Sequence, residues 1–179
     1  VYRLFAPPAR FLFGVAVVGA LHIGLAGAAS VDVSTQVGRV VAGILSFARW
    51  PTPVETYRFC TVGEVSYLYN GWKSLSQATS DPVSVRSLSG NESSWVAECD
   101  VLYIGGVPPA QRNRLLAEAV GKPALTISEG DDVCAEASMF CLAVQGNEVG
   151  LLANLDAISR SGIRISPKVL QLVRRRQGG

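Results

Sequence analysis

Between Val101 and Ser128 the chain spells a buried strand, a helix and a second buried strand, and so short a unit leaves few folds open. Val101-Leu102-Tyr103-Ile104 is a continuous apolar run, as a strand covered on both faces requires, and Gly105-Gly106 closes it. Pro108 and Pro109 pre-set the first turn of a helix reaching Val120, which Gly121 ends and Pro123 makes final. Ala124 to Ser128 is again apolar enough for a buried strand. Strand, helix and strand at this spacing form a right-handed parallel crossover, so an α/β fold is predicted.

The flanking segments extend that plan. Val37, Val40, Val41, Ile44, Leu45 and Ala48 recur at helical spacing, so an amphipathic helix is expected from Val33 to Arg49, stopped by Trp50-Pro51-Thr52-Pro53. Tyr57 to Val62 reads as a strand ended by Gly63, and Glu64 to Ala78 as a weak helix broken near Asn70-Gly71. Pro82 to Leu88 reads as a half-buried strand, with Val83, Val85 and Leu88 inward and Ser84 and Arg86 outward. Met139 to Val144 and Val149 to Ala153 flank Gln145-Gly146-Asn147-Glu148, the pattern of a β-hairpin. Asn154 caps a helix from Leu155 to Ser161, Gly162 ends it, and Ser166-Pro167 opens a last helix running to Arg174, Arg175 and Arg176. The fold predicted is α/β: a mixed, mostly parallel sheet with an antiparallel hairpin, helices on both faces, and disulfide bonds.

Ahead of these elements, Arg3 and Arg10 precede the apolar run Phe11 to Leu25, which gives way to Ala26-Gly27-Ala28-Ala29-Ser30. That is the basic, apolar and small-residue succession of a secretory leader, so residues 1–29 are expected to be a signal peptide that is removed. Residues 30–179 then form a single exported domain, too short for two cores. Cleavage removes two of the 16 basic residues and the only histidine, His22, leaving 14 basic against 14 acidic. A balanced domain lacks the clustered positive charge that drives nucleic-acid binding. Arginines in the final turn complement the helix dipole.

Without histidine the familiar hydrolytic triad cannot be built, and no Ser-x-x-Lys replaces it. Gly105-Gly106 lacks the rest of a phosphate-binding fingerprint, and the two prolines remove donors from the helix start. Glu129, Asp131 and Asp132 beside Gly130 are too sparse for a calcium loop and read as a solvated one. Asn91-Glu92-Ser93 is a glycosylation sequon, meaningful only in a eukaryotic secretory pathway. No catalytic residues, metal or cofactor are therefore expected. Cys60, Cys99, Cys134 and Cys141 contain no Cys-x-x-Cys and have no histidine to complete a zinc site. In an exported chain they are expected in disulfides, with three pairings possible. The short gap from Cys134 to Cys141 suits a local bridge, and Cys60 and Cys99 flank segments expected to be neighbouring strands.

Two segments are more specific than packing demands: Ile44-Leu45-Ser46-Phe47-Ala48-Arg49-Trp50-Pro51, and Asn154 through Asp156, Arg160, Gly162 and Arg164 to Ser166. Both resemble the YfiR family of periplasmic proteins, whose first helix ends in an Arg-Trp-Pro turn and whose later segment reads Asn-Leu-Asp-Ala. The resemblance covers essentially the whole mature chain and is strongest from Cys99 to Arg175. It implies an α/β periplasmic regulator that binds the periplasmic part of YfiN, a membrane diguanylate cyclase, and represses cyclic-di-GMP synthesis and biofilm formation. The lipoprotein YfiB of the outer membrane would sequester it. The resemblance also implies a homodimer, redox-sensitive stability, and disulfides pairing Cys60 with Cys99 and Cys134 with Cys141.

A repressor needs only a surface whose affinity differs between two states of its partner. Arg49 at a helix end and Arg164 ahead of the last helix, with Trp50 and Ser166 beside them, are read either as a pocket that grips a small carboxylate ligand or an acidic partner group, or as arginines that each tie down their own loop. Ile158, Ile163 and Ile165 are read either as an apolar contact patch or as core. The alternative function is a periplasmic small-molecule sensor or binding subunit serving another membrane receptor, such as a histidine kinase.

Overall fold

A computed structural model describes residues 32–92, 94–130, 134 and 138–173. The expected leader, Ser93 of the sequon, Asp131 and Asp132, and the terminal arginines lie outside the described residues. Helix α1 (Val33–Phe47) runs into strand β1 (Ala48–Arg49), followed by β2 (Tyr57–Val62), α2 (Trp72–Ala78) and β3 (Val83–Leu88). A 3-10 turn at Trp95–Ala97 leads to β4 (Val101–Ile104), α3 (Pro109–Ala119) and β5 (Leu125–Glu129). The hairpin β6 (Phe140–Gln145) and β7 (Glu148–Ala153) precedes α4 (Leu155–Arg160), β8 (Arg164–Ile165), a 3-10 turn at Pro167–Val169 and α5 (Leu170–Val173).

Six strands form one sheet in the order β3-β2-β4-β5-β6-β7, parallel throughout except for the β6–β7 hairpin. Phe59, Tyr103, Ile127, Phe140 and Leu142 join one core cluster with Val37, Val41, Ile44 and Leu45 of α1. A second cluster unites Cys60, Val62, Leu102 and Ile104 with Trp95 and with Leu115 and Leu116 of α3. All four residues of β4 are buried, which explains their unbroken apolar run. Both disulfides carry the expected pairing: Cys60 to Cys99 and Cys134 to Cys141. Beside the first, Asp100 accepts from Nε and Nη2 of Arg58 (3.0 and 2.7 Å), while Nη1 of Arg58 donates to the Ala97 carbonyl (2.9 Å).

Strand order reverses between β2 and β4, the crevice where sheets of this kind usually take ligands. Here backbone seals it. Glu64 N–H donates to the Gly106 carbonyl (3.2 Å), Gly106 N–H returns to Glu64 (2.8 Å), and a Cβ at Gly105 would fall 2.1 Å from the Glu64 oxygen. Gly105-Gly106 is therefore needed for a close backbone approach.

Three expectations require correction. The helix expected over residues 64–78 survives only as α2, because the amides of Ser66, Tyr67 and Leu68 donate to the Glu129 carboxylate instead of to helical carbonyls. Val85, expected inward, is 48% exposed, because β3 is an edge strand and only Val83 and Leu88 reach packed neighbours. Helix α1 ends at Phe47 instead of Arg49, since Ala48 turns extended (φ −91°, ψ 144°) to pair with β8.

Candidate functional site: a cationic groove

That early helix end creates the site. In the antiparallel β1–β8 ladder, Ala48 stands opposite Ile165 and Arg49 opposite Arg164. Side chains alternate along a strand, so burying Ala48 sends Arg49 outward. The Ser166 amide extends the ladder by donating to the Phe47 carbonyl (2.9 Å). Arg49 is already fixed: its Nη1 donates to the carbonyls of Ser46 (2.8 Å) and Ala48 (2.7 Å), the orphan acceptors at a helix C-terminus. Arg164 is exposed and has no hydrogen-bond or ion-pair partner among the described residues.

Both arginines border a groove of about 390 Å³, together with Ser46, Phe47, Ile165, Ser166 and Lys168. Among the described residues three cations line it and no carboxylate does. Like charges directly opposite in a ladder destabilise it. An anion lodged between them would remove that repulsion, and guanidinium forks favour a carboxylate or phosphate. Lys168 was not singled out from sequence: it is an ordinary lysine until the 3-10 turn after Ser166-Pro167 brings it beside the arginines.

Residues 35–174 match the sequence pattern of the YfiR/HmsC-like family. The chain belongs to that family. YfiR/HmsC-like proteins form a periplasmic, regulatory family, and the Arg-Trp-Pro turn and the Asn154–Ser166 segment, both inside the matched residues, supply the two arginines of this groove. Among the described residues no helix is long and apolar enough to cross a membrane.

The remaining expected site residues of this YfiR/HmsC-like chain are placed differently. Trp50 does not line the cationic groove. It turns toward Tyr57, with ring centroids 5.3 Å apart, and its buried Nε1 has no hydrogen-bond partner among the described residues. Trp50 instead walls a neighbouring cavity of about 470 Å³ shared with Arg49, Tyr57 and Asp81. Burial, and then the charge of Asp81, push the Tyr57 hydroxyl above its ordinary pKa, so it is a neutral donor there. Ile163 is a core residue, and Ile158 and Ile165 are partly buried against the same core, so these three pack inward and do not form an open patch. Ser166 acts through its backbone amide, and its hydroxyl accepts from the Lys168 amide (3.4 Å).

Glu129, read from sequence as part of a solvated loop, is 5% exposed at the end of β5. Its carboxylate accepts from the amides of Ser66 (2.8 Å), Tyr67 (2.8 Å) and Leu68 (3.1 Å) and from the Tyr103 hydroxyl (2.6 Å). The Tyr103 hydroxyl is held neutral, first by burial and then by the Glu129 charge. Four donors converging on one carboxylate make a clasp between the sheet and the 64–71 loop. Only a contact more than 60 residues away distinguishes this glutamate from its acidic neighbours, so sequence could not reveal it.

Proposed function

We propose that this protein is a periplasmic repressor that binds the periplasmic domain of a YfiN-like membrane diguanylate cyclase. In the bound state the cyclase is held inactive, cyclic-di-GMP synthesis falls and biofilm formation is suppressed. A YfiB-like outer-membrane lipoprotein relieves the repression by competing for the protein, which acts as a homodimer after its leader is removed. The carrying observation is the family match over residues 35–174.

The groove supports a binding role. Its two arginines are presented on a two-strand ladder anchored to α1, so an acidic side chain of the partner meets a preorganised surface on which Arg164, among the described residues, is unsatisfied. Arg164 is the residue placed to pair with it, Arg49 its anchored neighbour and Lys168 a steering charge. A small carboxylate in the same groove would compete with the partner, which gives the sensor reading a place in the same account.

The experiment is co-elution of the oxidised protein with the cyclase's periplasmic domain. A stable complex that lowers cyclase activity in membranes is expected. Failure to co-elute at micromolar concentrations would overturn the repressor reading, and saturable binding of a carboxylate without any cyclase complex would favour the sensor.

A further inference from the structure

Strand β3 closes one side of the main sheet, and among the described residues no other strand pairs with its outer edge. Six consecutive residues pair with β2 without a bulge, from Tyr57↔Val83 to Val62↔Leu88. Tyr57 N–H donates to the Pro82 carbonyl (2.9 Å), which fixes the phase of the ladder. In a parallel pair of that phase, Ser84, Arg86 and Leu88 aim their amides and carbonyls at β2, while Val83, Val85 and Ser87 aim theirs outward.

Exposed edges are ordinarily blunted by lysine, proline, a bulge or a covering loop. Within Val83–Leu88 there is no lysine and no proline, and residues 84–87 are all exposed. The one charge, Arg86, is ion-paired with Glu98. Val85 leaves 48% of its surface in water at the middle of this edge.

We infer that the outer edge of β3 is the dimer surface, pairing antiparallel with β3 of a second copy about a two-fold axis through Val85. This edge is self-complementary. The outward set, Val83, Val85 and Ser87, is symmetric about Val85, so the two-fold sets each outward amide against an outward carbonyl, making about six backbone hydrogen bonds. Val85 then meets Val85 of the second copy, Val83 meets Ser87, and Ser84 meets Arg86. No like charges face each other, and each Arg86 keeps its own Glu98. An axis through Arg86 instead would oppose two guanidinium groups, and an axis between residues 85 and 86 would set outward amides against residues whose own amides face β2.

This inference rests on the homodimer proposed above and not on the identity of the cyclase. The test uses the exported, oxidised protein in sedimentation equilibrium and in oxidative cross-linking. The protein is expected to dimerise, and Val85→Lys to weaken the dimer at least about tenfold at low salt, with an unchanged circular-dichroism spectrum. Val85→Cys should yield a covalent dimer, and Ser84→Cys should not, because symmetry-related positions 84 lie about 8 Å apart, beyond disulfide reach. A wild-type protein monomeric at all concentrations would overturn the homodimer itself. A dimer indifferent to Val85→Lys, or equal cross-linking at both cysteine positions, would overturn this surface alone. Because cross-linking is read on the Val85→Cys protein, the surface stays testable even if Val85→Lys does not fold.

Discussion

Two regions of this molecule concentrate charge and hydrogen-bonding capacity, and they treat it in opposite ways. At the Glu129 clasp one carboxylate is buried and four donors satisfy it. At the Arg49–Arg164–Lys168 groove, among the described residues, three cations are gathered with no acid between them and the Arg164 side chain is left unpaired. Burying an ion is costly unless every lone pair finds a partner, so the clasp is structural and its charge is spent inside the fold. Exposed like charges in register cost the fold a little, and Arg164, unlike Arg49 at the end of α1, offsets none of that with contacts of its own. Their arrangement is understood as preparation for something outside the chain.

That contrast can be broken by perturbing stability and binding separately. The largest stability effect belongs to the Cys60–Cys99 bridge, which spans 39 residues next to the Arg58–Asp100 pair. Replacing both cysteines by serine should cost about 4 kcal/mol on the loop-entropy account, against about 2 for the Cys134–Cys141 pair. Denaturant titration of the two double variants checks the order, and reversed sizes would show that local contacts outweigh loop length.

Next comes the clasp. Glu129→Ala strands three amides and a buried hydroxyl, so an unfolding free energy lower by about 3 kcal/mol is expected, while Glu129→Gln keeps one acceptor and loses less. Folded protein of either variant should bind the cyclase domain as the wild type does. If Glu129→Gln abolished binding without lowering stability, the division between the two regions would be false.

The groove predicts the mirror image. Arg164→Glu should change stability by no more than about 0.5 kcal/mol, since the side chain is exposed and unpaired, yet lower partner affinity by about tenfold or more. Raising salt should weaken wild-type binding and leave the Arg164→Glu complex less salt-sensitive.

The smallest effect lies in the turn before the Trp95–Ala97 segment. The Glu92 carboxyl is held down to about 2, first by its own amide and then by the amides of Ser89 and Gly90 and the Ser89 hydroxyl. A carboxyl depressed in the folded state stabilises it above the unfolded value near 4.5, and that stability is lost as pH falls toward about 2. Because the group is near the surface, Glu92→Gln should cost about 0.5 kcal/mol at pH 7 and nothing at pH 2, measured by melting at both.

How far the sequence carried depended on whether a feature was local. The parallel crossover, the hairpin around Gly146 and the Asn154 cap were legible because turn residues and hydrophobic period act over a few positions; the Asn154 side chain does accept from the Ala157 amide (3.0 Å). That Arg49 stands opposite Arg164 follows from the pairing of β1 with β8, whereas the sequence alone left open whether the two meet or each ties down its own loop. The neighbours of that pair were not legible either: Trp50 turned to Tyr57, Ile163 entered the core, and Lys168 joined the groove through a 3-10 turn. The loop from Glu64 to Gly71 looked helical by composition, and a carboxylate at the end of β5, distant in sequence, overrode that preference. Non-local hydrogen bonds leave no spacing to read.

The most direct measurement is calorimetric titration of the cyclase's periplasmic domain into oxidised wild-type protein and into an Arg49→Glu/Arg164→Glu double variant of matched melting temperature. Saturable binding by the first and none by the second is the expected result. Equal affinities would mean that the cationic groove is not the surface through which this protein acts.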